Sequence, residues 1–291
     1  MSARPPGTMW RFLMLQAARL ALGLVGAVLL VACIGALSAE GAHHGAAGYF
    51  SALLAQLSGF ARFDFGTSII SGMPAASDVG MRLPVTFELA GLGAIVALVL
   101  GGPLGILLGT ERPLRAAAPL MQIVTATPVF VASLALLWFA ANILHWPEAH
   151  YGNSLRDLAL PVLTVGAAGA AAVQLGLRRA AADAMDEPYR RGLRLMGLST
   201  LEINSVYLMP QILTGLCRSL GDITLALFAA AAVAEWVFGW PGAAVLFLKS
   251  VALHNWNVAA LVLLVFAAIK FFADFAGELG AYALLARGAR T

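Results

Sequence analysis

The stretch LAGLGAIVALVLGGPLGILLG, residues 89–109, decides the class of fold, because it carries no charged side chain. A run of about 20 apolar residues is long enough to cross about 30 Å of membrane hydrocarbon as an α-helix. Three other uncharged runs reach or approach that length, at residues 20–37, 116–144 and 158–177. The sequence therefore predicts a membrane protein with at least four spanning helices.

Two further apolar segments are predicted to span the membrane although they contain charges. These charges are Arg218 and Asp222 in the first segment, and Lys270, Asp274 and Glu278 in the second. Hydrophobic residues make up 60% of the 291-residue chain and charged residues only 11%, which excludes an ordinary soluble domain. The predicted fold is all-α and polytopic, with about six transmembrane helices in one membrane domain.

The boundaries of the predicted segments follow from these runs and from the polar stretches between them. They are an N-terminus at 1–9, spans at 10–37, 84–110, 116–144, 157–178, 211–234 and 257–287, an external segment at 38–83, a cytoplasmic loop at 179–210 and an external insertion at 235–256. The first span is too long for a typical removable signal peptide, and we expect it to be retained.

The orientation is predicted from the distribution of lysine and arginine, which collect on the cytoplasmic side of membrane proteins. With the N-terminus inside, the basic residues of the predicted loops and ends concentrate on the inner side, and Arg62, Arg82, Arg156 and Lys249 lie outside. Both termini are therefore predicted to be cytoplasmic. The net charge of +3 reflects this bias and gives no reason to expect a nucleic-acid partner.

The segment YRRGLRLMGLSTLEINSVYLMP, residues 189–210, is basic and amphipathic and lies inside the predicted cytoplasmic loop. Asp186 is a candidate N-cap for a first short helix, which Gly197 is placed to end in a left-handed conformation. Ser199 and Glu202 have the spacing of a capping box that begins a second short helix. Two short helices joined at Gly197 are predicted.

The second short helix is expected to meet Pro210, and both helices carry an apolar stripe beside charged residues. Such a pair suits docking into a groove on a soluble partner. It equally suits lying on anionic lipid. Physical reasoning from the residues alone leaves both alternatives open.

The loop resembles the cytoplasmic "EAA" loop of bacterial ABC importer permeases, which reads EAA, three residues, Gly, nine residues, Ile, one residue and Leu-Pro. Here Gly197 holds the glycine, Met209 and Pro210 hold the Leu-Pro place, and Tyr207 stands for the isoleucine. The EAA letters are replaced by Arg191, Gly192 and Leu193.

Other stretches resemble the dipeptide, oligopeptide and nickel branch of that family. The branch pattern Tyr-x-Arg-x-x-x-x-x-Gly-Leu-Ser is matched from Tyr189 to Ser199. EWVFGWPG at residues 235–242, FDFGTSIISGMP at 63–74 and RLPVTFEL at 82–89 are similar to further branch motifs. A proline often found near position 215 is glycine in this chain.

The resemblance implies the type I ABC importer permease fold with cytoplasmic coupling helices. It also implies several partners: a second homologous permease, two ABC ATPase subunits and an extracytoplasmic solute-binding protein, with membrane lipid around the spans. ATP and Mg would be bound by the ATPase subunits, because this chain contains no G-x-x-x-x-G-K-[ST] sequence. No enzymatic activity, cofactor or metal site is expected on this chain, and its location would be the bacterial inner membrane.

The resemblance assigns contact with the ATPases to residues of the loop. These candidate coupling residues are Tyr189, Arg191, Arg194, Gly197, Leu198, Ser199, Leu201, Glu202 and Pro210. Arg218 and Asp222 are four residues apart on a predicted helix, so they are interpreted as an ion pair that is either structural or part of a gate or pathway.

The cargo is predicted to be a peptide or peptide-like solute. Nickel chelates, opines and sugars remain alternatives within the same architecture. A different class of protein, a stand-alone ion-coupled secondary transporter, would need titratable groups inside the membrane. The candidates for that role are Arg218, Asp222, Asp274 and Glu278.

Overall fold

A computed structural model describes residues 7–38, 45–110, 127–143, 145, 155–186, 192, 195–199 and 202–288. Within these ranges the chain forms helices and turns, and its extended pairing is limited to an isolated bridge between Thr67 and Pro74. The predicted all-α fold class is therefore confirmed.

The helices are numbered along the described parts of the chain. They are α1 (Gly7–Ser38), α2 (Gly45–Ala61), α3 (Ala75–Thr110), α4 (Val129–Asn142), α5 (Leu155–Asp186), α6 (Met209–Arg218), α7 (Leu220–Val237), α8 (Ala243–Ala252) and α9 (Trp256–Gly288). A π-helix (Ile203–Leu208) leads directly into α6.

Five of the described helices are long and apolar enough to cross a membrane: α1, α3, α5, α7 and α9. Helix α4 has 14 residues, which corresponds to about 21 Å, and it occupies the second part of the predicted span 116–144. The first part of that span, up to residue 126, lies outside the described residues.

Two predicted segment boundaries differ from the helix ends. Helix α5 continues past residue 178 to Asp186, so Asp186 is the last residue of this helix and not the N-cap of a new one. The extension is rich in alanine, which favours a helix in water as well as in lipid. Helix α3 begins at Ala75, nine residues before the predicted start, and Asp78 in its first turn pairs with Arg82 (Oδ1 to Nε, 3.3 Å).

The predicted span 211–234 is two helices, α6 and α7, which meet at Ser219. The Ser219 hydroxyl donates to the backbone carbonyls of Gly215 and Leu216 at 3.1 and 2.9 Å. A serine that bonds back to the preceding turn competes with the helical backbone bonds and bends or interrupts the helix. The hydrogen bonds of the Ser219 hydroxyl are therefore the local cause of the break between α6 and α7.

Pro210 does not interrupt the helical backbone where the second short helix reaches it. The backbone remains helical from Ile203 to Arg218, as a π-helix followed by α6, and Pro210 lies in the first turn of α6. Proline has no N–H and its ring crowds the carbonyl four residues earlier in an α-helix. The wider turn of a π-helix just before the proline relieves this conflict.

Helices α3 and α5 form the main packing interface, and small residues line it. A Cβ atom added to Gly101 would lie 2.5 Å from the Ala170 carbonyl oxygen, and one on Gly105 would lie 2.8 Å from the Gln174 carbonyl oxygen. Gly169 of α5 faces Ala97 and Leu227 in the same way. These small residues let the two helices approach closely.

The substitution Gly101→Ala is expected to destabilise the protein by about 1–3 kcal/mol, because the new methyl group meets the backbone of α5 and forces the helices apart. The neighbouring Gly102→Ala is the matched control, since its Cβ would meet no atom within 4 Å. Thermal unfolding of the purified protein in detergent tests this. Equal melting temperatures for the two variants would contradict the tight interface.

Gly215 packs against α5 in a similar manner. Its Cβ would lie 2.2 Å from the Cβ of Ala180, so any side chain would separate α6 from α5. A proline at this position would meet the same atom. The difference from the usual branch pattern at position 215 therefore has a packing reason.

The first and last helices run beside each other. Phe12 of α1 stacks on Tyr282 of α9 with ring centroids 4.8 Å apart, and Gly23 of α1 leaves room for the ring of Phe271. Of the five candidate spans, α1 is the least buried, since only 11% of the span lies inside the structure. Helix α1 therefore lies at the periphery of the bundle.

Candidate functional site

The described part of the 189–210 segment turns sharply at Gly197. The backbone of Gly197 has φ of +82°, in the left-handed region that favours glycine. The prediction that Gly197 ends the first short helix in a left-handed conformation agrees with this geometry, although most of that first helix lies outside the described residues. Among the described residues no atom lies within 4 Å of a Cβ built on Gly197, so its conformation and not its size requires glycine.

The predicted capping box is present two residues later. The Glu202 carboxylate accepts hydrogen bonds from the Ser199 backbone N–H and hydroxyl, both at 2.8 Å, and the Glu202 N–H lies 3.2 Å from the Ser199 hydroxyl oxygen. These bonds fix the chain direction as it leaves Gly197 and enters the π-helix. The turn and the helix start therefore form one ordered unit.

One side of this unit is anchored in the protein core. Ile203 and Leu208 are buried, and Leu198 packs partly buried against the same hydrophobic cluster. Leu198 was predicted to contact a partner, but its described position is directed towards the core. The three side chains tie the loop to the membrane helices, so that a force on the loop reaches the bundle.

The other side of the unit is exposed and apolar. Leu195 is 88% exposed and Met196 is 72% exposed, and Val206 is exposed as well. We call Leu195, Met196 and Val206 the exposed loop face. Large exposed apolar side chains outside the membrane-spanning helices are characteristic of a protein contact.

The pKa of Glu202 is lowered from its usual value, chiefly by the hydrogen bond from the Ser199 hydroxyl and then by the Ser199 N–H. A carboxylate whose folded-state pKa is depressed stabilises the fold above its unfolded pKa, and this contribution is lost as the pH falls through the folded pKa. The capping box is thus expected to be intact at neutral pH and to weaken in acid.

Hydrogen exchange of residues 202–208 tests this expectation. At neutral pH the wild type should be better protected than Glu202→Gln, and the difference should vanish when the pH falls below the lowered pKa of Glu202. Comparing the two proteins at each pH removes the intrinsic pH dependence of exchange. A difference that does not change with pH would show that the carboxylate charge has no role.

The structure leaves four of the candidate coupling residues outside its described parts. These are Tyr189, Arg191, Arg194 and Leu201. Gly197, Ser199 and Glu202 form the ordered turn, and Pro210 is half-buried in the first turn of α6. The structure thus brings three of the nine candidates together in the turn. The residues of the exposed loop face were not among the nine candidates.

Arg218 and Asp222 form no ion pair in the part of the chain that the structure describes. The spacing of four places two side chains together only on one continuous helix, and the helix is broken between them at Ser219. Arg218 instead lies in the last turn of α6 and Asp222 in the first turn of α7. Each charge has the sign that stabilises its helix end.

A second polar cluster, around Glu235, joins three helices at the opposite end of α7. The Glu235 side chain is 0% exposed and accepts hydrogen bonds from the Thr86 hydroxyl at 2.5 Å and the Val245 N–H at 2.8 Å. The Thr86 oxygen in turn accepts from the Ala243 N–H at 2.8 Å. We call this the Glu235 latch, because it caps the start of α8 and ties it to α3 and α7.

The letters of EWVFGWPG fit this geometry. A Cβ on Gly242 would lie 2.1 Å from the Glu235 carboxylate, so glycine leaves the space that the carboxylate occupies. Trp240 is buried beside it and belongs to the main hydrophobic cluster. Trp236 of the same motif is 60% exposed, in contrast to Trp240.

The turn at residues 64–74 is fastened to the start of α9. Asn255 is fully buried; its amide donates to the Ser68 hydroxyl at 2.9 Å and its carbonyl oxygen accepts from the Ile69 N–H at 3.3 Å. Asn257 donates to the Thr67 carbonyl at 3.2 Å. Of the Gly-Thr-Ser letters of this stretch, the Ser68 side chain is used directly, and sequence reasoning did not find the two asparagine partners.

Together the fold and these clusters define a helical, multi-span membrane protein with an ordered loop fixed to its core. Residues 81–281 match the family described as binding-protein-dependent transport system inner membrane component. This match covers more than half of the chain, and the chain belongs to that family. Helices α1 and α2 lie before the matched residues.

Curated relatives and a solved structure agree with the family. The chain is 27% identical over 206 residues to the glutathione transport system permease protein GsiC of Escherichia coli (strain K12), which covers 70% of this chain and 67% of GsiC. GsiC of Salmonella typhi matches to the same extent. An inward-facing structure of the MetNI methionine ABC transporter matches with a TM-score of 0.54 and 21% identity, over 71% of this chain and 95% of that chain.

The predicted family is thus confirmed, and the likeness to MetNI shows the fold. The chain is a multi-pass inner-membrane component of an ABC importer, in the role of a transport permease subunit.

Proposed function

We propose that this permease imports a peptide or peptide-like solute, driven by ATP hydrolysis on two partner ATPase subunits that bind ATP and Mg. A second homologous permease would complete the translocation path, and an extracytoplasmic solute-binding protein would deliver the cargo. The similarity to GsiC, whose name assigns it to glutathione transport, supports a peptide-like cargo. Nickel chelates, opines and sugars are the alternatives for the same architecture.

The observation that carries the proposal is the two-sided loop at residues 195–208. Its core side is fixed by Leu198, Ile203 and Leu208, and its other side exposes Leu195 and Met196. A rigid unit of this kind can transmit a displacement to the helices it is attached to, whereas a flexible loop would deform instead. We assign the exposed loop face to a groove on the ATPase.

The proposed mechanism is alternating access. Closure of the ATPases around ATP would move the loop as a lever, and the buried anchors would pass this motion to α5, α6 and α7. In this arrangement both chain termini lie on the ATPase side, because the lysines and arginines of the predicted loops and ends concentrate on the cytoplasmic side.

Affinity purification of the full-length chain from its native membrane tests the partner assignment. Recovery of an ABC ATPase with the permease, and its loss on replacing Leu195 and Met196 by aspartate, would support the proposal. The control Ile69→Asp changes an exposed apolar side chain in the turn at residues 64–74, outside the spanning helices and distant in sequence from the loop. If the ATPase is retained in the loop variant, the exposed loop face is not the docking surface.

The rival function is a stand-alone transporter coupled to an ion gradient. Reconstitution separates the two: the assembled complex should take up cargo only with ATP and a loaded binding protein. Uptake by the permease alone, driven by a proton or sodium gradient, would overturn the proposal. The binding protein and ligand that stimulate ATP hydrolysis by the complex would also identify the cargo.

A further inference from the structure

A polar cavity of about 260 Å³ lies between α1, α6 and α9, away from the loop and from the Glu235 latch. It is far larger than the volume of about 10–15 Å³ needed to hold one water. Its polar and charged lining residues are Gln16, Arg19, Arg218, Asp274 and Glu278. Such a concentration of charge is unusual within apolar membrane helices.

The cavity lies inside the membrane near one boundary. Arg19 is 12 residues from the start of α1 and Glu278 is 10 residues from the end of α9, which places them about 18 and 15 Å from those ends. A centred helix of 32 residues leaves only about 9 Å of each end outside a hydrocarbon layer of about 30 Å. Charges at this depth require a partner or must reach towards the headgroups.

Several polar groups of the lining have no partner in the part of the chain that the structure describes. Asp274 is bonded to Lys270, but within the described residues Arg19, Arg218 and Glu278 have no ion-pair partner. Gln16 is only 8% exposed and its amide has no hydrogen bond in the same part of the chain. The four charged lining residues balance one another, and Lys270, which pairs with Asp274 but does not line the cavity, leaves one net positive charge in the cluster.

The most exposed span, α1, forms one wall of the cavity. Only 11% of the α1 span is buried in the structure. Arg19, which lies on this helix, is exposed. Long arginine side chains in this position extend towards the phosphate layer while their stems stay in the hydrocarbon. Lipid therefore has direct access to the unpaired guanidinium groups.

We propose that this cavity binds the headgroup of an anionic phospholipid in the leaflet on the side of the two chain termini. The phosphodiester would accept hydrogen bonds from Arg19 and Arg218, with the Gln16 amide as a further donor. Arginine forks match phosphate geometry, and basic pockets between membrane helices are known sites for acidic headgroups. Because Lys270 holds Asp274, the two arginines face only Glu278, and the positive charge left over matches a headgroup with one negative charge.

Native mass spectrometry of the delipidated permease in its assembled complex tests this site, with phosphatidylglycerol as the probe. The wild type should retain one tightly bound phosphatidylglycerol per permease, and Arg218→Gln or Arg19→Gln should weaken it about tenfold. Arg11→Gln is the matched control, since Arg11 lies on the same helix outside the cavity lining. Unchanged binding in the double variant Arg19→Gln/Arg218→Gln would overturn the proposal.

A gain-of-binding variant guards against loss through misfolding. Glu278→Gln removes one negative charge from the lining, so phosphatidylglycerol should bind about threefold more tightly. Weaker or equal binding in this variant would contradict the charge argument. Inorganic phosphate and phosphatidylcholine should compete poorly; displacement of the lipid by inorganic phosphate would make this a free-anion site and refute the lipid assignment.

Discussion

Replacing Glu235 by alanine is expected to lower the free energy of unfolding by about 3 kcal/mol, because it leaves buried donors without acceptors. The Val245 N–H and the Thr86 hydroxyl both donate to this carboxylate, which is 0% exposed. In the wild type the carboxylate is closed off from solvent. The start of α8 would then lose its attachment to α3 and α7.

Thermal unfolding in detergent measures this effect, and a double-mutant cycle assigns it to the latch. Thr86→Val should also destabilise, and the combined variant should cost clearly less than the sum, because both residues share one network. Glu88→Ala is the control, since Glu88 is an exposed carboxylate on the same helix as Thr86. Additive losses for Glu235 and Thr86 would argue against the network.

The second large effect is expected for Gly197→Val. The left-handed conformation at φ of +82° is strained by about 1–2 kcal/mol for an ordinary side chain, and more for a β-branched one. The turn would open and the exposed loop face would shift away from its anchors. We expect transport per ATP hydrolysed by the reconstituted complex to fall about tenfold, since the lever no longer follows the ATPase.

Gly192→Ala provides the control for this substitution. Gly192 is helical, has no atom within 4 Å of its Cβ position and lies on the other side of the same turn. Its replacement should leave transport unchanged. If Gly197→Val retains full transport per ATP, the sharp turn is not needed for coupling.

The membrane spans could be predicted from sequence, because crossing lipid demands a long apolar run and few other structures show one. The ends of the helices could not. Hydrophobicity falls after residue 178, where the helix leaves the apolar layer, yet α5 continues to Asp186 because alanine favours a helix in water too. The sequence shows where the chain passes from lipid into water, but the helix does not have to end at that point.

The turn at Gly197 and the capping box were predictable because they depend on residues close in sequence. The supposed Arg218–Asp222 pair was wrong because Ser219, lying between them, interrupts the helix. The Glu235 latch and the Asn255 contacts join residues 149 and 187 positions apart, and no local pattern specifies such pairs. The exposed loop face needed the structure as well, since only the core shows which apolar side chains of the loop are left uncovered.

The central claim is that the ordered loop transmits the work of ATP hydrolysis to the membrane helices. Replacing residues 197–202 by a flexible glycine-serine segment of equal length, and measuring ATP-driven uptake together with ATP hydrolysis in proteoliposomes, tests it most directly. The account predicts that the complex still assembles and hydrolyses ATP but that cargo uptake is lost. Uptake and coupling at the wild-type level would contradict it.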